Sequence, residues 1–290
     1  MSRALILDFD GSVAPLPETD AVVLRDKQEA IRFGCRAAAL RELGRQLTPV
    51  LGSNPPVVFL GSGDYHHVTY LLVERLRALR TMIQLVVFDN HPDNMRYPFG
   101  IHCGSWVSHV SRLPFVARVH VVGITSTDVE SGHLWENRLL PLYSGKVRYW
   151  CVRRNLRLMR TFGIRHSNSF DTTTSMLAAL NDAVSESSEP IYLSIDKDVL
   201  AGDVVTTNWD QGVMRFEELI AAIRPLRQRL VGSDITGDVS AYRYHSRFKR
   251  FLSGLDRQPS IPDDRLVGYQ TQHQEVNQRL LSLLRDGAQH

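Results

Sequence analysis

Lysine is scarce in this 290-residue chain, with four residues (Lys27, Lys146, Lys197 and Lys249) against 30 arginines. That imbalance reads as genome composition before function. Cysteine is scarcer still. Cys35, Cys103 and Cys151 show no paired spacing, which excludes a C-x-x-C metal knuckle and a disulfide scaffold and suits a reducing compartment. No run of about 18 apolar residues exists, so no membrane-spanning helix is expected. No cationic segment followed by a long apolar one opens the chain, so the cytoplasm is the expected location. Net charge is only +3, too mild to argue for nucleic acid. The basic runs at 153–160 and 243–250 read as solvated faces. Without a Pro/Gly/Ser-rich linker or an internal repeat, residues 1–290 are expected to form one domain.

What the sequence does contain is alternation. Apolar runs of strand length occur at 4–9, 56–61, 83–90, 118–124, 146–152, 190–196 and 229–235. They are rich in Val, Ile and Leu without polar alternation, as strands buried on both faces are. Helical patterns lie between them, at about 24–47, 66–80, 172–186, 214–228 and 265–286, while 235–264 reads as a polar, loop-rich excursion. Such alternation predicts an α/β fold with a mostly parallel sheet. Ligands in such sheets bind beyond the carboxyl ends of the strands, so the polar residues closing each apolar run are the candidates.

Three of those strand ends carry metal-ligand chemistry. "VVFDNHPDNM" places Asp89, His91 and Asp93 at i, i+2 and i+4, one face of an extended backbone. "IYLSIDKDVL" repeats the design with Asp196 and Asp198, and Lys197 between them is expected to point the opposite way. "FLGSGDYHHV" adds His66 or His67 after a glycine turn. Carboxylates gathered this closely repel one another unless protonated or bridged by a cation. Two imidazoles and four carboxylates suit a pair of divalent ions, Mn²⁺ ahead of Zn²⁺ or Fe²⁺. Two such ions can hold a bridging hydroxide, the nucleophile of metal-assisted hydrolysis.

G-D-(Y)-H, D-x-H-x-D and S-x-D-x-D, in this order, resemble the three metal motifs of the arginase, agmatinase and formiminoglutamase family, the ureohydrolases. The resemblance spans roughly residues 56 to 240. It implies a three-layer α/β/α fold around a parallel sheet of about eight strands, and a binuclear Mn²⁺ centre that hydrolyses C–N bonds of guanidino, amidino or related small molecules. By position, it implies His66 on one ion and His91 on the other, Asp89 and Asp196 bridging, and Asp93 and Asp198 completing one site each. One extra residue before the histidine leaves His67 as an alternative to His66. The family's proton-shuttling histidine falls on His102. Its guanidinium-holding Glu falls on Gly237, which leaves the adjacent Asp238 as the expected substitute. The substrate loop falls on "GDVVTTNWDQG", where Trp209, Asp210 and Gln211 are candidates, although a polar turn is the plainer reading. The family's frequent trimers and hexamers make a homo-oligomer an expectation of the resemblance alone.

Two other readings compete. "LILDFDGS" resembles the opening motif of haloacid-dehalogenase-type phosphatases, with Asp8 as nucleophile and Asp10 as acid. That reading leaves both later Asp clusters without a purpose and finds no lysine motif among the four lysines. On the metal-hydrolase reading, Asp8 and Asp10 close the first strand near the same sheet edge and either line the cleft or cap a turn, the structural role being the plainer one. The other reading is a catalytically silent, metal-binding relative.

Overall fold

The computed structural model describes residues 3–52, 56–255 and 261–285. All seven apolar runs form strands: β1 (Ala4–Asp8), β4 (Val57–Gly61), β5 (Ile83–Phe88), β7 (Val116–Ile124), β8 (Val147–Val152), β10 (Ile191–Asp196) and β11 (Leu230–Thr236). Among the described residues four further strands complete the set: β2 (Thr19–Val23), β3 (Gly34–Cys35), β6 (Ile101–His102) and β9 (Asn168–Phe170). Nine of the eleven make one parallel sheet in the order β2-β1-β4-β11-β10-β5-β7-β8-β9.

Alternate residues of each strand feed two separate cores. On one face Leu5, Leu7, Leu85 and Val87 pack with Leu43 and Leu47 of helix Ala37–Leu51 and Leu71 and Leu72 of helix Thr69–Arg75. On the other, Ile6, Val86, Phe88 and Leu193 pack with Leu180, Leu219 and Leu280 from helices Thr173–Ser185, Phe216–Ile223 and Asp263–Arg285. A sheet buried on both faces needs no polar side in its strands. The architecture is three-layer α/β/α, as expected from the sequence. None of the described helices is long and apolar enough to cross a membrane.

Two expectations need correction. The helix read over 24–47 is two, Gln28–Ile31 and Ala37–Leu51. Between them Phe33 adopts φ 70°, and Gly34 and Cys35 pair antiparallel with His102 and Ile101. Arg32 turns inward, 97% buried at its side chain, to meet Asp64 at 2.7 Å and Asp10 at 3.5 Å. A long-range ion pair therefore overrides a favourable local helix propensity. The excursion 235–264 is also less irregular than expected, since it contains helix Arg247–Leu255; residues 256–260 fall outside the described set.

The register levels the site. Ile195 pairs with Phe88, Asp196 with Thr236, and Thr236 with Gly61. The carboxyl ends of β4, β11, β10 and β5 therefore finish side by side, and the chain leaves each of them at one edge of the sheet.

Candidate metal centre

Each ligand-bearing turn is built by its own local chemistry. After β4, Gly61 takes φ +83°, where a side chain would press Asp10 Oδ1 at 2.8 Å. Ser62 Oγ then accepts from the Asp64 amide at 3.3 Å and opens the 3-10 turn Gly63–Val68, which carries His66. After β10, Asp196 Oδ1 accepts from the Asp198 amide at 3.1 Å and opens the 3-10 turn Lys197–Val199. After β5 the backbone is not extended as expected. Asp89 Oδ1 accepts from the His91 amide at 2.7 Å, an Asx turn, and Asp93 adopts φ 45°. The three side chains converge through this turn instead of through strand alternation.

His66 Nδ1 lies 3.2 Å from Asp89 Oδ2, 3.1 Å from Asp93 Oδ2 and 3.4 Å from Asp196 Oδ2. His91 Nδ1 lies 3.7 Å from Asp89 Oδ1 and 2.9 Å from Asp198 Oδ2. The donor atoms of His66, Asp89 and Asp93 fall within 4.8 Å of one another, as do those of Asp89, His91 and Asp198. Asp89 belongs to both groups and turns one oxygen to each. That donor set, imidazole and carboxylate around a shared carboxylate, fits a pair of divalent cations. His67 is buried but absent from the cavity wall, so His66 is the histidine brought to the cluster.

The electrostatics point the same way. Burial lowers the basicity of His66, but Asp89 and Asp93 outweigh it and push its pKa well above the ordinary value. His91 is raised likewise, burial being outweighed by Asp198, Asp210 and Asp89. Burial and the neighbouring Asp89 charge push Asp93 and Asp198 each up to about 7. Asp196 is raised by burial and by Asp198. Protons thus occupy positions that balance four crowded carboxylates.

The cluster floors a cavity of about 390 Å³. His102, Cys103, Met95, Asp128, His133, Glu136, Asn137, Trp209 and Asp210 line the rest, and among the described residues no Arg or Lys does. Burial and Lys249 hold His102 down to about 3, and its Nδ1 accepts from the Gly104 amide at 2.9 Å. Trp106 donates to Asp93 Oδ2 at 2.7 Å. His66 Nε2 meets Ser194 Oγ at 2.9 Å, and Ser194 donates to the buried Asp234 at 2.8 Å. Sequence reasoning missed Trp106, Asp234, Asp128 and Glu136, which no local motif marks, and did not read Ser194, the first residue of S-x-D-x-D, as a partner of His66.

Asp238 is elsewhere. It is fully buried outside this cavity, 2.7 Å from Lys197 Nζ, and accepts from Asn277 Nδ2 at 2.9 Å. The expectation that it substitutes for a substrate-holding Glu is therefore corrected: two residues past the end of β11 it pairs with Lys197 and with Asn277 of helix Asp263–Arg285 instead of lining the cavity. Lys197 does point away from Asp196 and Asp198, as expected. Asp8 is held by Arg25 Nε at 3.0 Å. Asp10 accepts from Ser240 Oγ at 2.7 Å and from the Ser12 amide at 3.1 Å. Both cap turns, and neither lines the cavity.

A parallel sheet covered on both faces, with a His/Asp cluster at its carboxyl edge, describes a class of metal-dependent hydrolases. The sequence model of the arginase family matches residues 10–241, and the chain belongs to that family. An uncharacterized protein of Thermotoga maritima is 30% identical over 238 residues, covering 80% of this chain and 78% of its own. A putative agmatinase from Clostridium difficile is similar in structure at TM-score 0.56 and 14% identity, covering 98% of both chains. A hypothetical agmatinase from Burkholderia thailandensis gives TM-score 0.55 and 14% identity, covering 98% of this chain and 86% of that one. At such identities the structural likeness is one of fold. Membership removes the basis of the phosphatase reading.

Proposed function

We propose that the chain is a binuclear, Mn²⁺-dependent hydrolase of C–N bonds in a positively charged guanidino, amidino or related small molecule. The observation that carries this is the Asp89 carboxylate, which addresses His66 with one oxygen and His91 with the other. On this reading His66 and Asp93 hold one ion, His91 and Asp198 hold the other, and Asp89 and Asp196 are shared. When bound there, two such ions would supply Lewis acidity toward water and the scissile group. The chain's residues do the rest. Trp106 orients Asp93, and Ser194 orients His66. Asp128 and Glu136, on a wall to which no described Arg or Lys contributes, favour a cationic substrate over an anionic one. His102 faces that substrate neutral, with Nδ1 accepting from the backbone and the ring proton on Nε2. Zn²⁺ and Fe²⁺ are the alternative ions, and the cytoplasm is the proposed location.

Gly237 supports a second reading. It stands where the resemblance implies a guanidinium-holding Glu, and a Cβ there would lie 2.7 Å from the Lys197 amide nitrogen. No carboxylate can be presented from that position. A substrate gripped differently, or a silent metal-binding relative, accommodates this. Elemental analysis of the purified protein, then urea and ammonia release over guanidino and amidino compounds, separates the readings. Two ions with turnover support the hydrolase, two ions without turnover on any compound support the silent relative, and fewer than two ions defeat both.

A further inference from the structure

The two ligand histidines have different partners behind them. His66 leans on Ser194 and, through it, on Asp234, both fully buried. His91 leans on Asp210, whose Oδ1 lies 2.7 Å from His91 Nε2 while its side chain is 69% exposed. Asp210 comes from the loop after β10, residues 201–212, which also brings Trp209 to the cavity. Asn90 ties that loop down. Its Nδ2 donates to the Asp210 carbonyl at 3.0 Å and to Asp210 Oδ2 at 3.2 Å, while its amide donates to Asp198 Oδ1 at 3.0 Å.

We infer that Asp210 is a positioning residue for the second cation and that, through it, the position of loop 201–212 and occupancy of that cation site are linked. This rests on the binuclear reading above. Both nitrogens of His91 face carboxylates, Nδ1 toward Asp198 and Nε2 toward Asp210. With a cation at Nδ1 the ring is neutral and its one proton is on Nε2, donated to Asp210. That bond fixes the tautomer, turns Nδ1 to the ion and strengthens it as a donor. The first site has its orienting group locked in the core; the second has its own on a solvent-facing loop. Linkage then runs both ways: a loop held in place tightens the second ion, and the ion holds the loop.

The test uses Mn²⁺ itself, by equilibrium dialysis with elemental analysis, on the intact chain. Asp210→Ala should leave one of the two dissociation constants unchanged and raise the other about 10–100-fold. Asp210→Asn, which keeps an oxygen acceptor, should fall between Asp210→Ala and wild type. Asp203→Asn removes a carboxylate from the same loop that pairs instead with Arg215 at 2.6 Å, and should change neither constant. Limited proteolysis reads the converse, with Mn²⁺ protecting the 201–212 loop in wild type and not in Asp210→Ala. Two unchanged constants, or two constants raised alike, overturn the role of Asp210 while leaving the binuclear reading intact. A wild-type chain that binds fewer than two ions overturns that reading and this inference with it.

Discussion

Lys197 Nζ and Asp238 Oδ1 meet at 2.7 Å with neither side chain exposed. Asn277 of the long C-terminal helix completes the group, donating to the same oxygen and accepting from Lys197 Nζ at 2.8 Å. Charges this deep are tolerated only because each satisfies the other. Asp238→Ala leaves a buried ammonium uncompensated, and should lower unfolding free energy by about 3–5 kcal/mol. The double variant Lys197→Met/Asp238→Leu should recover most of that loss. Urea denaturation of the ion-free protein measures both.

Gly237 answers to a different constraint. Its φ is +88°, and an added Cβ would meet Asp196 Oδ1 and the Lys197 amide. Gly237→Ala is expected to cost about 1–3 kcal/mol of stability, from the strained conformation. It should also weaken Mn²⁺ binding by displacing Asp196. Chemical denaturation and dialysis on the same preparation test the two halves.

Ligand variants separate the cluster from the first strand end. Asp196→Asn and His91→Ala should lose bound Mn²⁺. Asp8→Asn, which removes a part-exposed pair with Arg25, should keep both ions and cost at most about 1 kcal/mol. Elemental analysis of the purified variants decides it. Retained metal in the first two would refute the assignment.

Protons and cations compete for the same positions, and the sign follows from the shifts. His66 and His91 have folded pKa values above the unfolded one, so their contribution to ion-free stability is complete below about pH 6.5 and lost as pH rises through the folded values. Asp93 and Asp198, pushed up to about 7, are stabilising as neutral acids at low pH and lose that contribution as pH climbs from about 4 through 7. Between pH 5 and about 6.5 the buried histidines His102 and His120, held down to about 3, act in the opposite direction, so the expected fall in melting of the ion-free protein is over about pH 6.5 to 8. Excess Mn²⁺ should reverse the trend, since deprotonated ligands bind it best. Thermal melts across that range, with and without Mn²⁺, provide the comparison.

The strands could be read in the sequence because a doubly covered parallel sheet leaves an uninterrupted apolar run at every central position. β2, with "TDAVV" on an edge and largely exposed, and the three-residue β9 carry no such run. The broken first helix was hidden because Arg32 is turned inward by Asp10 and Asp64, distant in the chain or beyond the helix. At the site, Asp89, His91, Asp93, Asp196 and Asp198 were legible because each closes an apolar run. Trp106 and Asp234 were not, and Asp210, named only as a substrate-loop candidate, was not read as a partner of His91, because these approaches depend on how a short helix, a neighbouring strand and a loop pack. Asp238 shows the reverse error: proximity in sequence placed it near the substrate, but past the turn at Gly237 it pairs with the buried Lys197.

The position of β11 has a consequence for biosynthesis. It lies between β4, which leads to His66, and β10, which leads to Asp196. A nascent chain has the final spacing of those two ligands only after residue 236 has emerged and this late strand has been inserted. On the proposed binuclear reading, cation capture would follow insertion of β11, and a fragment truncated before it would retain all six proposed ligands yet lack the scaffold that brings them together.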